Sequence, residues 1–333
     1  MPNVISIGNT CLDIILSETT QLPKWNSELI FPKTEWRLGG QGANFAIAAS
    51  HLELKSVLAT SIGTDEAGNR ILGELAATTR IDEHLIKREK SETGFSVTLV
   101  RRDGERSFLT FLGHQKLFTT KPIMNEILNI IETDSIVHIS GLYMLPKLRR
   151  ELLSLFKRLH DENTRISFDP GWNPEGFSKA KREEFYRLLS YVAFYEPNDA
   201  ELKQLTGQTT VQAALRRVEP KFGGVLALKL GKKGSKIIEP SGKVTFEPPF
   251  LTRVADTTGA GDAFDAGFIA GILRNRSVQI SAKIGNATAS IAISRRGRAT
   301  LRFPRLREVQ TAIERQQTPS SLRIDQLYHS SHR

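Results

Sequence analysis

Short apolar runs rich in β-branched residues alternate with helix-like segments along most of this chain, and that alternation constrains the fold more than any other feature. Val4–Ile7, Ser56–Ala59, Ser135–Ile139, Arg165–Phe168, Tyr191–Phe194 and Gly224–Leu228 read as strands buried on both faces. Leu148–His160 and Lys179–Leu189 carry the helical period between them. Buried strands alternating with helices predict a mostly parallel sheet covered on both sides, a three-layer α/β/α sandwich. Sheets of this kind bind ligands beyond the carboxyl ends of their strands.

Two stretches interrupt the alternation. Residues 14–38 hold Pro23, Trp25, Pro32 and Trp36 with little helical period, and residues 93–113 place Asp103-Gly104 between two alternating runs, a hairpin signal. Together they predict a small β-sheet lid projecting from the body, against the alternative of an extra antiparallel edge on the main sheet. No Pro/Gly/Ser linker divides the chain, so one domain is expected over residues 1–310, followed by a polar tail at 311–333. With 333 residues the chain can bury a full core without staples, and its single cysteine, Cys11, excludes an intramolecular disulfide. A reducing, cytoplasmic setting fits. The N-terminus reads as a strand rather than a leader, and no run approaches the ~18 apolar residues of a membrane span.

The sharpest motif is Asp256-Thr-Thr-Gly-Ala-Gly-Asp262, followed by an apolar helical pattern through Phe264, Phe268 and Ile272. Gly259, Ala260 and Gly261 at a helix start let backbone N–H groups converge, an anion site reinforced by the helix dipole. Asp262 on the first turn suits a base that takes a proton from an attacking hydroxyl; a plain capping role is the alternative. A second glycine turn, Gly39-Gly40-Gln-Gly42, runs into an Ala-rich helix containing Asn44, which offers its amide to local backbone or to a polyhydroxy ligand. Both glycine turns lack the third glycine of a dinucleotide fingerprint, and Gly242-Lys243-Val244 fails as a Walker loop, so neither NAD nor P-loop binding is expected. Asp13 follows the first strand, where a carboxylate pairs well with vicinal hydroxyls. Asn198 and Glu201 lie on one face of an opening helical turn, as oxygen ligands for hydrated Mg²⁺ or as a capping box. Lys229, Gly231 and Gly234 follow a buried strand, where a nucleotide or an ordinary turn fits.

Gly39-Gly40 with Asn44, and the Asp256–Asp262 motif, resemble the two signatures of the ribokinase-like (PfkB) carbohydrate kinases, and the order of motifs is similar over roughly residues 3–310. That resemblance implies an ATP-dependent kinase that phosphorylates a primary hydroxyl of a small sugar, such as ribose, fructose or 2-keto-3-deoxygluconate. By this likeness Asp262 is the base, and Gly259, Ala260 and Gly261 form the anion hole. Asp13, Gly39, Gly40 and Asn44 hold the sugar. Lys229, Gly231, Gly234, Thr257 and Asn286 flank ATP, while Asn198 and Glu201 organise Mg²⁺ through water. Asp256, Thr258 and the Ser294–Gly297 turn match a monovalent-cation (K⁺) site, although Thr300 and Leu301 stand where some members have serine. Lys229 replaces a common Thr, and Asp169–Pro174 resembles a loop of sugar-acid and hexose kinases without the arginine some of them carry.

Two other readings remain. A nucleoside kinase of the same family would use Trp25, Trp36 and Phe111 as a base slot. An inactive regulatory or nucleic-acid-binding member is prompted by the net charge of +10. No nucleic-acid motif accompanies that charge, so the expected partners are sugar and ATP, with no nucleic acid and no membrane. Lid edges predict a homodimer through the lid. The arginines at 295, 296, 298, 302, 305 and 307 either favour ATP by their potential or are plain surface charge.

Overall fold

The computed structural model describes residues 3–19, 21–22, 24–77, 81–101 and 106–317. Its ten-stranded main sheet runs β14 (Val244–Glu247), β13 (Ser235–Ile238), β12 (Val225–Lys229), β11 (Phe194–Tyr195), β10 (Arg165–Asp169), β9 (Ile136–Ser140), β1 (Asn3–Gly8), β4 (Lys55–Gly63) and β5 (Ile81–Asp82). β6 (Ile86–Glu89) also pairs with β4. Every pairing from β12 to β5 is parallel, and only β12–β13 and β13–β14 are antiparallel.

Alternation along the strands feeds two cores. Val4 and Leu58 point to one face, with helices Gln41–His51, Ala260–Leu273 and Val278–Ile293. Ile5, Ile7, Val57 and Ala59 point to the other, beneath helices Pro146–Asp161, Lys179–Leu189, Asp199–Thr206 and Val211–Val218. All these strand residues are almost fully buried, which is why the strands read as unbroken apolar runs.

The two interrupting stretches form a second, separate sheet in the order β3 (Lys33–Gly39), β2 (Cys11–Thr19), β7 (Phe95–Arg101), β8 (Arg106–Phe111). The lid is therefore a sheet of its own rather than an edge of the main one. It starts at Cys11, three residues before the expected limit, because β2 leaves β1 after only Asn9 and Thr10. Asp103-Gly104 lies outside the described residues, while the antiparallel pairing of β7 with β8 is clear.

Two boundaries differ from expectation. The strand read at Tyr191–Phe194 is β11, Phe194–Tyr195, because Tyr191 and Val192 still donate backbone hydrogen bonds to Leu188 and Leu189 at the end of the preceding helix. At the other end of the domain, helix Leu306–Gln317 carries through residue 310 into the segment read as tail; residues 318–333 lie outside the described ones. Among the described residues, no helix is long and apolar enough to cross a membrane.

Candidate active site

A cavity of about 870 Å³ opens where the parallel strands end and the lid overhangs them. Asp13, Asn44, Asp169, Asn198, Lys229 and Asp262 all line it, each delivered by a different strand end or helix start.

Helix Ala260–Leu273 begins one residue after Gly259, whose φ of +75° is left-handed. A side chain there would be strained, and its Cβ would also lie 3.1 Å from Arg302 Nη2. Gly259, Ala260 and Gly261 all line the cavity at this helix start, where N–H groups without an intrahelical partner suit an anion; the Ala260 N–H is itself donated to Thr257 O at 3.2 Å. Asp262, on that first turn, accepts a 2.8 Å hydrogen bond from Asn44 Nδ2. Burial, then repulsion from Asp169, pushes its pKa up to about 7, against the lowering effect of Asn44. A carboxyl group poised near neutrality suits a general base. Asn44 Oδ1, by contrast, is buried with no partner and is left for a ligand hydroxyl.

Asp13 is buried where β2 leaves the main body. Burial raises its pKa despite the neighbouring Arg37. Opposite it, Gly39 has no room for a side chain, since an added Cβ would fall 2.3 Å from Asp13 Oδ2. The double glycine therefore serves the carboxylate as much as the backbone: Gly39 clears Asp13, and Gly40 caps helix Gln41–His51.

Asn198 and Glu201 form the capping box. Asn198 Oδ1 accepts from Glu201 N at 2.9 Å, and Glu201 Oε2 accepts from Asn198 N at 2.8 Å. Both still line the cavity. Burial and the Asp169 charge lift Glu201 to about 7, a strain that a divalent cation would relieve. Among the described residues no group of three or more His, Cys, Asp or Glu is arranged to hold a metal alone. The donor set thus suits Mg²⁺ held largely by waters and phosphate oxygens.

Lys229 does not simply flank a nucleotide. Its Nζ is buried against Asp169 Oδ2 at 2.8 Å and both Asp265 oxygens at 3.0 Å. Burial opposes its charge, but those carboxylates more than compensate and hold its pKa above the ordinary value. Gly231, Gly234 and Thr257 line the cavity, as does Asn286, whose Nδ2 is spent on Glu247 O and Pro248 O.

Asp256 and Thr258, expected at a monovalent-cation site, meet guanidinium groups instead. Arg37 Nη1 and Arg106 Nη2 each lie 2.8 Å from the Asp256 carboxylate, and Arg302 Nη1 lies 3.4 Å away. Arg302 also donates to Thr258 O at 2.6 Å, and Arg106 to Thr258 Oγ1. Oxygen atoms that would face a cation face N–H donors. Arg302, read as one of six similar charges, is 1% exposed.

Sequence reasoning missed Asn9, Gln41, Gln115, Arg106 and Asp265. Asn9 Oδ1 accepts from Gln41 N, and Asn9 Nδ2 donates to Gln115 Oε1, joining three elements at the cavity floor. Nothing local marks them; only their convergence does. Trp25, Trp36 and Phe111, offered as a base slot, do not line the cavity; its aromatic lining is Phe108, Phe250 and Phe264.

The fold and site together define a ligand-enclosing α/β enzyme with a carboxylate beside a glycine anion site. Residues 1–304 match the model of the pfkB family carbohydrate kinases, and the chain belongs to that family. It is 26% identical over 278 residues to the 2-dehydro-3-deoxygluconokinase of Haemophilus influenzae, covering 78% of this chain and 87% of that one. It is 24% identical over 294 residues to the ribokinase of Bacillus subtilis, covering 88% and 93%. Arabidopsis thaliana ribokinase, solved with ribose and ATP, superposes with a TM-score of 0.79 at 22% identity, covering 93% of this chain and 98% of that one. The chain is a carbohydrate kinase with the ribokinase-like fold.

Proposed function

We propose that this enzyme transfers the γ-phosphoryl group of ATP to a primary hydroxyl of a small sugar, with Asp262 as general base. One observation carries the reading: a buried carboxylate with a pKa near 7 sits on the first turn of a helix whose Gly259–Gly261 start is an anion site, inside a cavity that also presents Asp13 and the unpartnered Asn44 Oδ1. Asp13, Gly40 and Asn44 hold the sugar, Asp13 accepting hydroxyl protons. Asp262 takes the proton of the reacting hydroxyl as it attacks. The N–H groups of Gly259, Ala260 and Gly261 bind the charge that builds on the phosphoryl oxygens. Gly231, Gly234, Thr257 and Asn286 flank the nucleotide, and Lys229 supports the floor beneath Gly261. Asn198 and Glu201 would hold Mg²⁺ through its waters, and the ion supplies neutralisation of phosphate charge. The lid excludes water from the transfer.

The relatives' names, kinases of sugars, sugar acids and sugar phosphates, favour a sugar acceptor over a nucleoside, and Trp25, Trp36 and Phe111 do not line the cavity as a base slot would require. The enzyme is assigned to the cytoplasm, consistent with its single free thiol, and to a homodimer through the lid. A coupled ADP-release screen over pentoses, hexoses, keto-sugar acids and nucleosides tests the reading. Turnover with a sugar is expected, falling by orders of magnitude in Asp262→Asn while ATP still binds. Turnover with nucleosides alone, or an unimpaired Asp262→Asn enzyme, would sink it.

A further inference from the structure

Asp256 stands three residues before the anion hole, and its surroundings contain more positive charge than one carboxylate needs. Oδ2 accepts from Arg37 at 2.8 Å and from Arg302 at 3.4 Å; Oδ1 accepts from Arg106 at 2.8 Å and from Thr258 N at 2.9 Å. Two donors per oxygen exhaust a carboxylate's lone pairs. The nearby backbone acceptors are taken too: Thr258 O by Arg302 at 2.6 Å, and Gly297 O by Arg37 at 3.3 Å. A hard cation is held by oxygen lone pairs turned toward it, and here those lone pairs are turned to N–H groups.

The surplus runs the other way. Arg37 Nε and Nη2, Arg106 Nε and Arg302 Nε are buried with no acceptor. Three guanidiniums converge on Asp256, with Asp13 near Arg37 and Arg302 and Glu35 3.9 Å from Arg37, so the negative charge here is already matched and none is left to hold a further cation. The residues present do not fit a monovalent metal ion.

We infer that the chain's own arginines replace that ion: the enzyme works without K⁺, and Arg302 is the positioning residue that fixes the peptide preceding the anion hole. The inference rests on the kinase reading. Its particular content is that Arg302 Nη1 joins Asp256 to Thr258 O, the carbonyl directly before Gly259, in one contact. Holding that carbonyl back keeps the Gly259 turn, and the N–H groups after it, aimed at the phosphoryl group. Arg302 itself does not line the cavity.

The test compares the wild-type enzyme in potassium, sodium and tetramethylammonium salts at equal ionic strength, by ADP release and by melting temperature. Rates within twofold across the three salts, and melting curves that show no K⁺-specific shift, are expected. A fivefold or greater activation by K⁺, or a saturable rise in melting temperature with K⁺ alone, would overturn the inference. Melting needs no turnover, so an inactive preparation counts against the kinase reading while the salt arm still decides this one. In Arg302→Ala, kcat should fall at least tenfold with KM for the sugar little changed, and millimolar guanidinium should restore part of it where K⁺ does not. Rescue by K⁺ rather than guanidinium, or an unaffected kcat, would remove Arg302 from this role. If that variant does not fold, Arg302→Lys decides the role instead: both contacts come from Nη1, and a lysine side chain, one atom shorter, does not carry its ammonium to that position; full kcat in it overturns the assignment.

Discussion

Asp262 owes its readiness as a base to its surroundings. A carboxylic acid removed from water holds its proton more tightly, and Asp169 adds like-charge repulsion, so the group titrates at about 7. The base must be unprotonated, so kcat/KM for the sugar should climb as pH rises through about 7 and level off above it. Asn44 pulls in the opposite direction by donating to the ionised form. Asn44→Ala removes a hydrogen bond to a charged acceptor and should move the limb up by about one unit, which alone costs about fivefold in kcat/KM at pH 7, on top of the pH-independent loss of the sugar contact. A pH–rate profile checks this, and an unmoved limb would show that another group titrates. Both residues were legible in the sequence because each sits in a compact run of glycines and small residues. Arg37 and Arg302 were not, since what distinguishes them is a carboxylate 219 and 46 residues away.

Among elements, Lys229 is the tie between three of them. It ends β12 and meets Asp169 at the end of β10 and Asp265 on helix Ala260–Leu273. Lys229→Met would leave those two carboxylates buried together without their cation. Removing one partner of a buried ion pair costs about 3–5 kcal/mol, so urea unfolding should show a loss of that order. Lys229→Met combined with Asp265→Asn should recover part of it. A loss below about 1 kcal/mol would mean that the carboxylates carry protons and need no lysine. The strands themselves were readable because burial on both faces leaves an uninterrupted apolar run. The short β11 starts three residues later than read and ends one later, because the helical turn at Tyr191–Val192 is as apolar as the strand it precedes. The capping box at Asn198 and Glu201 shows why letters alone left that site open: the same two oxygens satisfy the helix start and face the cavity.

For the whole molecule, the lid accounts for the expected assembly. β3 and β8 are its outer strands, and Leu109 and Trp36 leave 62% and 46% of their surface exposed. Open edges with apolar side chains invite pairing with another copy. Sedimentation velocity should give a species of twice the chain mass, and Leu109→Lys should shift it toward the single chain; a wild-type monomer would remove the dimer. Net charge told little at this scale, because some of the arginines behind it lie buried within the fold. Arg37 comes from one outer strand of the lid and Arg106 from the other, yet both finish on Asp256 of the main body. The two outer strands therefore share one carboxylate, Arg37 on Oδ2 and Arg106 on Oδ1, and a lid that lifts whole has to break both ion pairs. A flap hinged along one side could part by degrees. This cover is tied at both sides, so its full opening is a step distinct from the chemistry, and sugar and product both pass through it.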